Sequence, residues 1–154
     1  MTDVVDAATR SRMMSGIRGA NTKPERYVRS LLHRRGFRFR LHARDLPGRP
    51  DIVLPRYRAV LLVHGCFWHG HDCPLFRLPA TRRDFWGAKI ERNRANDRKA
   101  ATALRATGWR VGTVWECAMR GPGALNEMTL TRTLARWLLG DTPTIEIRGP
   151  RVTA

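Results

Sequence analysis

Acidic residues are scarce in this chain. It has 13 Asp and Glu against 29 Lys and Arg, a formal net charge of +16 over 154 residues. Lysine is scarcer still, confined to Lys23, Lys89 and Lys99, so 26 of the cations are arginine. No apolar run approaches 18 residues, so no membrane-spanning helix is expected. The opening Met1-Thr2-Asp3-Val4-Val5-Asp6 lacks the basic-then-apolar pattern of a secretory signal, and a cytoplasmic location is expected. Cysteine is limited to Cys66, Cys73 and Cys117. An odd number with no Cys-x-x-Cys spacing argues against a disulfide framework and against a redox pair. There is no internal repeat and no linker, so the length suits one domain.

A surplus of positive charge this large opposes compactness and needs a reason. Nucleic acid supplies one, because contacts to phosphate release counterions and provide much of the affinity. A genome rich in arginine codons would explain Arg over Lys, but not the shortage of acids.

The hydrophobic pattern predicts an α/β arrangement of helices on the faces of one sheet. Residues 1–21 read as a basic segment with Arg10, Arg12 and Arg18 around Met13, Met14 and Ile17. Thr22-Lys23-Pro24-Glu25 reads as a capping box opening a helix that stops near Gly36. Phe37–Leu41 alternates as an exposed strand does. Asp51–Leu54 and Ala59–Val63 read as buried strands paired in a hairpin. Residues 65–80 read as an irregular loop. Thr81-Arg82-Arg83-Asp84 resembles an N-cap for a long helix from about Asp84 to Ala106. Trp109–Trp115 reads as a strand and 129–139 as a last helix. The main folded unit is then 22–140, and 141–154 is an extended tail to which no role is assigned.

The densest chemistry lies in His64-Gly65-Cys66-Phe67-Trp68-His69-Gly70-His71-Asp72-Cys73. Zinc takes thiolate and imidazole ligands in a tetrahedron. Cys66, His71 and Cys73, with Cys117 from elsewhere, make a closed Cys3His set, structural rather than catalytic. Spacing alone does not separate His71 from His69. Phe67 and Trp68 stand between these ligands, with Trp86 on the long helix. They are either core residues or rigid apolar wedges able to enter a base stack.

Pro50-Asp51 opens a buried strand whose neighbour ends at Val63-His64. This is the layout of a PD-(D/E)xK nuclease, in which strand-borne carboxylates hold Mg²⁺ against the scissile phosphate. The acid-x-Lys half is replaced by Val63-His64-Gly65. On the long helix Trp86, Ile90, Asn93, Asp97 and Leu104 share a narrow stripe. Asp97 on that apolar face is either a salt-bridged carboxylate or the orienter of an imidazole such as His69. Glu25 is likewise open between a site role and the cap, since the capping box alone explains it.

These blocks together resemble the very short patch repair (Vsr) mismatch endonucleases of bacteria. The resemblance rests on Leu46-Pro47-Gly48-Arg49-Pro50-Asp51, His64-Gly65-Cys66-Phe67-Trp68-His69, Cys73, Pro79-Ala80-Thr81-Arg82, Phe85-Trp86, Gly108-Trp109-Arg110-Val111 and Val114-Trp115-Glu116-Cys117-Ala118. It implies a restriction-endonuclease-like (PD-(D/E)xK-type) fold, a central mixed sheet flanked by helices with a structural zinc site. It implies Mg²⁺-dependent nicking 5′ of the T in a T·G mismatch left by deaminated 5-methylcytosine. By the same resemblance Asp51 and the carbonyl of Val63 hold Mg²⁺, His69 is the general base with Asp97 its partner, and His64 and Glu25 complete the catalytic site. Cys66, His71, Cys73 and Cys117 hold Zn²⁺. Phe67, Trp68 and Trp86 wedge into double-stranded DNA, and Met14 enters from the other groove. A monomer is expected, with mismatch-repair proteins as further partners. Threonine is common in the family where this chain has Val63, and the segment from Asp141 onward is poorly covered. The readings to be separated from this one are a non-catalytic zinc-stabilised DNA-binding module, a dimeric site-specific restriction endonuclease, and a catalytic zinc enzyme.

Overall fold

The structure is a computed structural model describing residues 22–150; the basic segment with Met14 lies outside them. Helix α1 spans Lys23–Arg34. It is followed by β1 (Arg40–Leu41), β2 (Ile52–Leu54), a 3-10 turn at Pro55–Tyr57 and β3 (Ala59–His64). Helix α2 runs Arg83–Ala106, β4 Arg110–Trp115, α3 Glu127–Leu139 and β5 Thr144–Ile147. The strands form one mixed sheet in the order β1-β2-β3-β4-β5. The β1–β2 and β2–β3 pairs are antiparallel, and β3–β4 and β4–β5 are parallel.

The strand sequences read as continuous apolar runs because both faces of the sheet are covered. Ile52, Leu54, Ala59 and Leu61 pack with Val28, Leu31 and Leu32 of α1 and Leu130, Leu134 and Leu138 of α3. Val53, Val60, Leu62 and Val111 face the other way, with Leu104 of α2. Alternate residues of β2 and β3 therefore point into opposite cores, as the two-residue period of a strand requires. Truncating a fully buried leucine in such a core costs about 2–5 kcal/mol.

The first helix opens as expected. Thr22 is its N-cap, accepting the Glu25 N–H at 3.3 Å. The expected N-cap of α2 is different. The cap residue is Arg82 in the left-handed region, with no side-chain cap bond, and its guanidinium lies 4.2 Å from the Phe85 ring centre. The exposed strand expected over Phe37–Leu41 shrinks to two residues, because Phe37 turns into the core against Tyr57.

The segment after Gly140 is extended, but it is not a free tail. Thr144–Ile147 adds a parallel edge strand to β4. Arg148 binds Asp72, and the Gly149 N–H points to Cys117 Sγ at 3.4 Å. Its Thr and Pro content hides a strand in which only Ile147 is buried.

Candidate active site and metal-ligand cluster

The candidate site side chains gather at one end of the sheet. The β2–β3 register sets Ile52 against Leu61, so Asp51 lies just before β2 beside the end of β3. Its Oδ2 accepts the Val63 N–H at 2.7 Å. In the next parallel pair His64 sits opposite Trp115. An open cleft of about 900 Å³ spreads over this end, lined by Glu25, His42, Asp51, His64, His69 and Asp97 and by the cations Lys23, Arg44, Arg49, Lys89 and Arg120.

Two loops are seated on α2 by glycines that leave no room for a side chain. A Cβ on Gly48 (φ +70) would lie 2.5 Å from Ala100 Cβ, and one on Gly70 (φ +60) 2.6 Å from Ile90 Cγ2. The first loop delivers Asp51 and the second delivers His69. From α2, Asn93 Nδ2 donates to the Trp68 carbonyl at 2.8 Å.

Asp97 reaches His69 from the same helix face. Its Oδ2 is 2.5 Å from His69 Nδ1, while its Oδ1 is 4.0 Å from His64 Nε2. A carboxylate at Nδ1 keeps the proton on that nitrogen and leaves the Nε2 lone pair available as a base. His64 stacks on His69 with ring centres 3.8 Å apart and planes within 3°. Burial, and then the neighbouring His69, push the His64 pKa down to about 3, so His64 is neutral at physiological pH.

Asp51 behaves in the opposite sense. Burial pushes its carboxyl up to about 7, against the lowering effect of the Val63 N–H, and the adjoining Glu25 carboxyl adds to the rise. Glu25 is itself 2% exposed. Its backbone N–H completes the cap, but its carboxylate turns into the cleft, 2.9 Å from Arg29 Nη2 and 3.0 Å from His42 Nε2. Glu25, His42 and Asp51 have ligand atoms within 4.8 Å of one another. The sequence reading missed His42 and Arg29. The signal for His42 was the strand register, since Leu41 pairs with Ile52 and places residue 42 opposite 51.

Behind this cleft, Cys66, His71, Cys73 and Cys117 have ligand atoms within 4.8 Å of one another. Nδ1 of His71 lies 3.6 Å from Cys66 Sγ and 3.5 Å from Cys117 Sγ. The Cys117 N–H points to Cys66 Sγ at 3.3 Å. The choice left open by spacing falls on His71, because His69 is turned to Asp97. Burial pushes the Cys66 and Cys117 thiols up, because a low-dielectric setting disfavours the charged thiolate. Trp115 stacks on His71 at 3.9 Å and meets His64 edge-on at 5.2 Å, joining the two sites.

Phe67, Trp68 and Trp86 form a cluster with ring centres 5.1 to 5.8 Å apart. All three are half-buried rather than core residues, and Phe85 beside them is exposed.

Comparison with known proteins shows the family. Residues 2–75 match the family model described as DNA mismatch endonuclease Vsr. The chain is 46% identical over 147 residues to the DNA mismatch endonuclease Vsr of Escherichia coli, covering 96% of this chain and 94% of that protein. It belongs to the Vsr family of DNA mismatch endonucleases. It is also 55% identical over 125 residues to the type II nicking enzyme V.XorIIP of Xanthomonas oryzae, covering 81% of this chain and 92% of the relative. The type II nicking enzyme V.NmeAIP of Neisseria meningitidis is 41% identical over 127 residues, covering 82% and 91%. The residues matched by the family model include β2, β3 and the loop through Cys73. No helix among the described residues is long and apolar enough to cross a membrane.

Proposed function

We propose that this Vsr-family chain nicks one DNA strand 5′ of the T in a T·G mismatch, by Mg²⁺-dependent hydrolysis of the phosphodiester. The observation that carries the reading is the pairing of two half-sites in one cleft: a buried Asp51–Glu25 carboxyl pair beside a His69–Asp97 dyad. Two carboxyls in contact suit a hard divalent cation, because like charges so close need a proton or a metal between them. Asp51, assisted by the Val63 carbonyl, is the proposed holder of that ion. Bound there, it would polarise the phosphoryl oxygen and offset developing charge.

The residues do the rest. His69, oriented through Nδ1 by Asp97, takes the proton from the attacking water at Nε2. His64, kept neutral, stacks on His69 and fixes its plane. Glu25, held by Arg29 and His42, closes the acidic side of the cleft. Arg44, Arg49 and Arg120 line the cleft and are the proposed contacts to backbone phosphates, which set register without reading bases. Val63 contributes no hydroxyl, and a ligand drawn from its backbone needs none.

The half-buried Phe67–Trp68–Trp86 cluster is the proposed wedge, and Met14, outside the described residues, its counterpart from the other groove. Opening a stack costs a few kcal/mol and less at a mispair, so rigid rings favour the mismatch over matched duplex. The Cys66–His71–Cys73–Cys117 donors suit a closed structural zinc site, since four ligands leave no position for substrate. The fold reading is restriction-endonuclease-like. One cut needs one active site, which suits a monomer. A cytoplasmic setting and mismatch-repair proteins as helpers complete the proposal.

Asp51→Ala tests the catalytic assignment. Nicking should vanish while binding to a mismatched duplex persists, because the arginines and aromatics are untouched. Cleavage at the parent rate would contradict it.

A further inference from the structure

The mechanism above leaves His42 as a mere hydrogen-bonding neighbour, yet its placement is specific. β1 and β2 run antiparallel with Leu41 opposite Ile52, so His42 and Asp51 form the next cross-strand pair. The His42 N–H donates to the Asp51 carbonyl at 3.1 Å, which fixes that pairing at the mouth of the cleft. His42 stands just past the end of β1 with its backbone in the left-handed region (φ +48), so its side chain leaves the pleat; its Nε2 comes to 3.0 Å from Glu25 Oε2, and the ligand atoms of His42, Glu25 and Asp51 lie within 4.8 Å of one another.

His42 Nε2 stands between Glu25 Oε2 at 3.0 Å and Arg29 Nη2 at 3.2 Å. Carrying a proton, it donates to the Glu25 carboxylate; bare, it accepts from the guanidinium or offers its lone pair to a cation. Glu25, His42 and Asp51 bring their ligand atoms within 4.8 Å of one another, so one ion there would be in reach of all three.

We propose that His42 is a nitrogen ligand of the divalent cation held by Asp51 and Glu25. The site is then a set of two carboxylates and one imidazole. Carboxylate oxygen alone suits Mg²⁺, whereas an imidazole raises the relative affinity for later divalent ions such as Mn²⁺ and Co²⁺. The inference rests on the reading of Asp51 as the metal-binding carboxylate. It adds a ligand and a metal preference to it.

The test uses the zinc-loaded full chain and Mn²⁺ as the probe. Pulsed electron paramagnetic resonance reads nitrogen nuclei bonded to Mn²⁺, and ¹⁵N-histidine labelling identifies them as imidazole. The wild type should show a histidine nitrogen at the ion. His42→Gln should lose that signal, and His69→Gln should keep it. The dissociation constant for Mn²⁺ should rise about 10-fold or more in His42→Gln, with a smaller change for Mg²⁺ measured by competition. His42 is partly exposed, and a near-ultraviolet circular dichroism spectrum verifies that the variant is folded. The wild-type signal does not depend on any variant. Mn²⁺ binding that vanishes in Asp51→Ala but shows no His42 nitrogen would overturn the inference and leave the catalytic reading standing. Mn²⁺ binding indifferent to Asp51 would overturn both.

Discussion

Replacing Asp97 by Asn isolates the part of the site that the geometry defines most sharply. The substitution keeps the size of the side chain and its position on α2, and it removes only the charge that faces His69 Nδ1 across 2.5 Å. An amide presents either an N–H or a C=O to the ring. With the N–H forward, Nδ1 must be the bare nitrogen, and Nε2 then carries a proton and cannot serve as a base. With the C=O forward, the tautomer survives but the imidazolium formed in the transition state loses its counter-charge. A positioned general base contributes about 10²- to 10⁴-fold, or ~2.7–5.4 kcal/mol at ~1.36 kcal/mol per decade. The side chains of His69 and Asp97 are 23% and 29% exposed, so solvent screens part of their attraction. The expected loss is accordingly in the lower half of that range, about 10²- to 10³-fold in the single-turnover nicking rate. Binding to mismatched duplex should not weaken, because removing an acid from a +16 chain adds to its attraction for phosphate. The assay is single-turnover cleavage of a labelled duplex beside anisotropy binding at matched salt. A parent-like rate would refute the dyad. A rate loss that merely tracks lost binding would make Asp97 a scaffold residue.

Two further outcomes follow from the same geometry. Cys117→Ala removes one of the four proposed zinc donors and also the acceptor of the Gly149 N–H. Structural zinc contributes about 10–16 kcal/mol in small sites, as much as a whole domain's stability, so the variant should unfold, as should the wild type stripped of zinc. Zinc analysis alongside circular dichroism measures this, and a metal-free chain that folds normally would contradict it. The second outcome is a pH dependence. The Asp51 carboxyl, pushed up to about 7 by burial and by Glu25, lies above its unfolded value of 3.8. In the metal-free protein its favourable contribution is therefore fully present at low pH and is lost as pH rises through 7. Divalent metal competes with that proton, so its apparent affinity should climb roughly tenfold per pH unit below about 7 and then level off. The shift in melting temperature on adding Mg²⁺ at pH 5.5, 6.5 and 7.5 reads this, and a shift independent of pH would oppose it.

What could be read from the sequence is what local pattern controls. The β2 and β3 runs, the length of α2 and the Thr22 cap follow from apolar periodicity and cap chemistry, and each stands in the structure. The stripe on α2 placed Asn93 and Asp97 on its inward face, where they meet Trp68 and His69. What was hidden depends on pairing between distant segments. β5 carries one buried residue, and its hydrogen bonds come from β4 rather than from its own sequence. His42 gains meaning only from the β1–β2 register. His71 and His69 are two residues apart in a loop without period, so only the folded turn sends one to the sulfurs and the other to Asp97. The expected cap at Thr81 failed because Arg82 adopts a left-handed backbone that a Thr-led cap does not require.

The central claim is strand-specific hydrolysis beside a mispair. Its most direct test is a duplex labelled on each strand in turn, with one T·G mismatch in a 5-methylcytosine-type site. It is incubated with the zinc-loaded protein and Mg²⁺, with EDTA, and in parallel as the matched duplex. The account predicts one Mg²⁺-dependent cut 5′ of the T, absent with EDTA and strongly reduced on the matched duplex. Equal cutting of matched DNA, cutting of both strands, or tight binding with no cut across a panel of flanking sequences would contradict it.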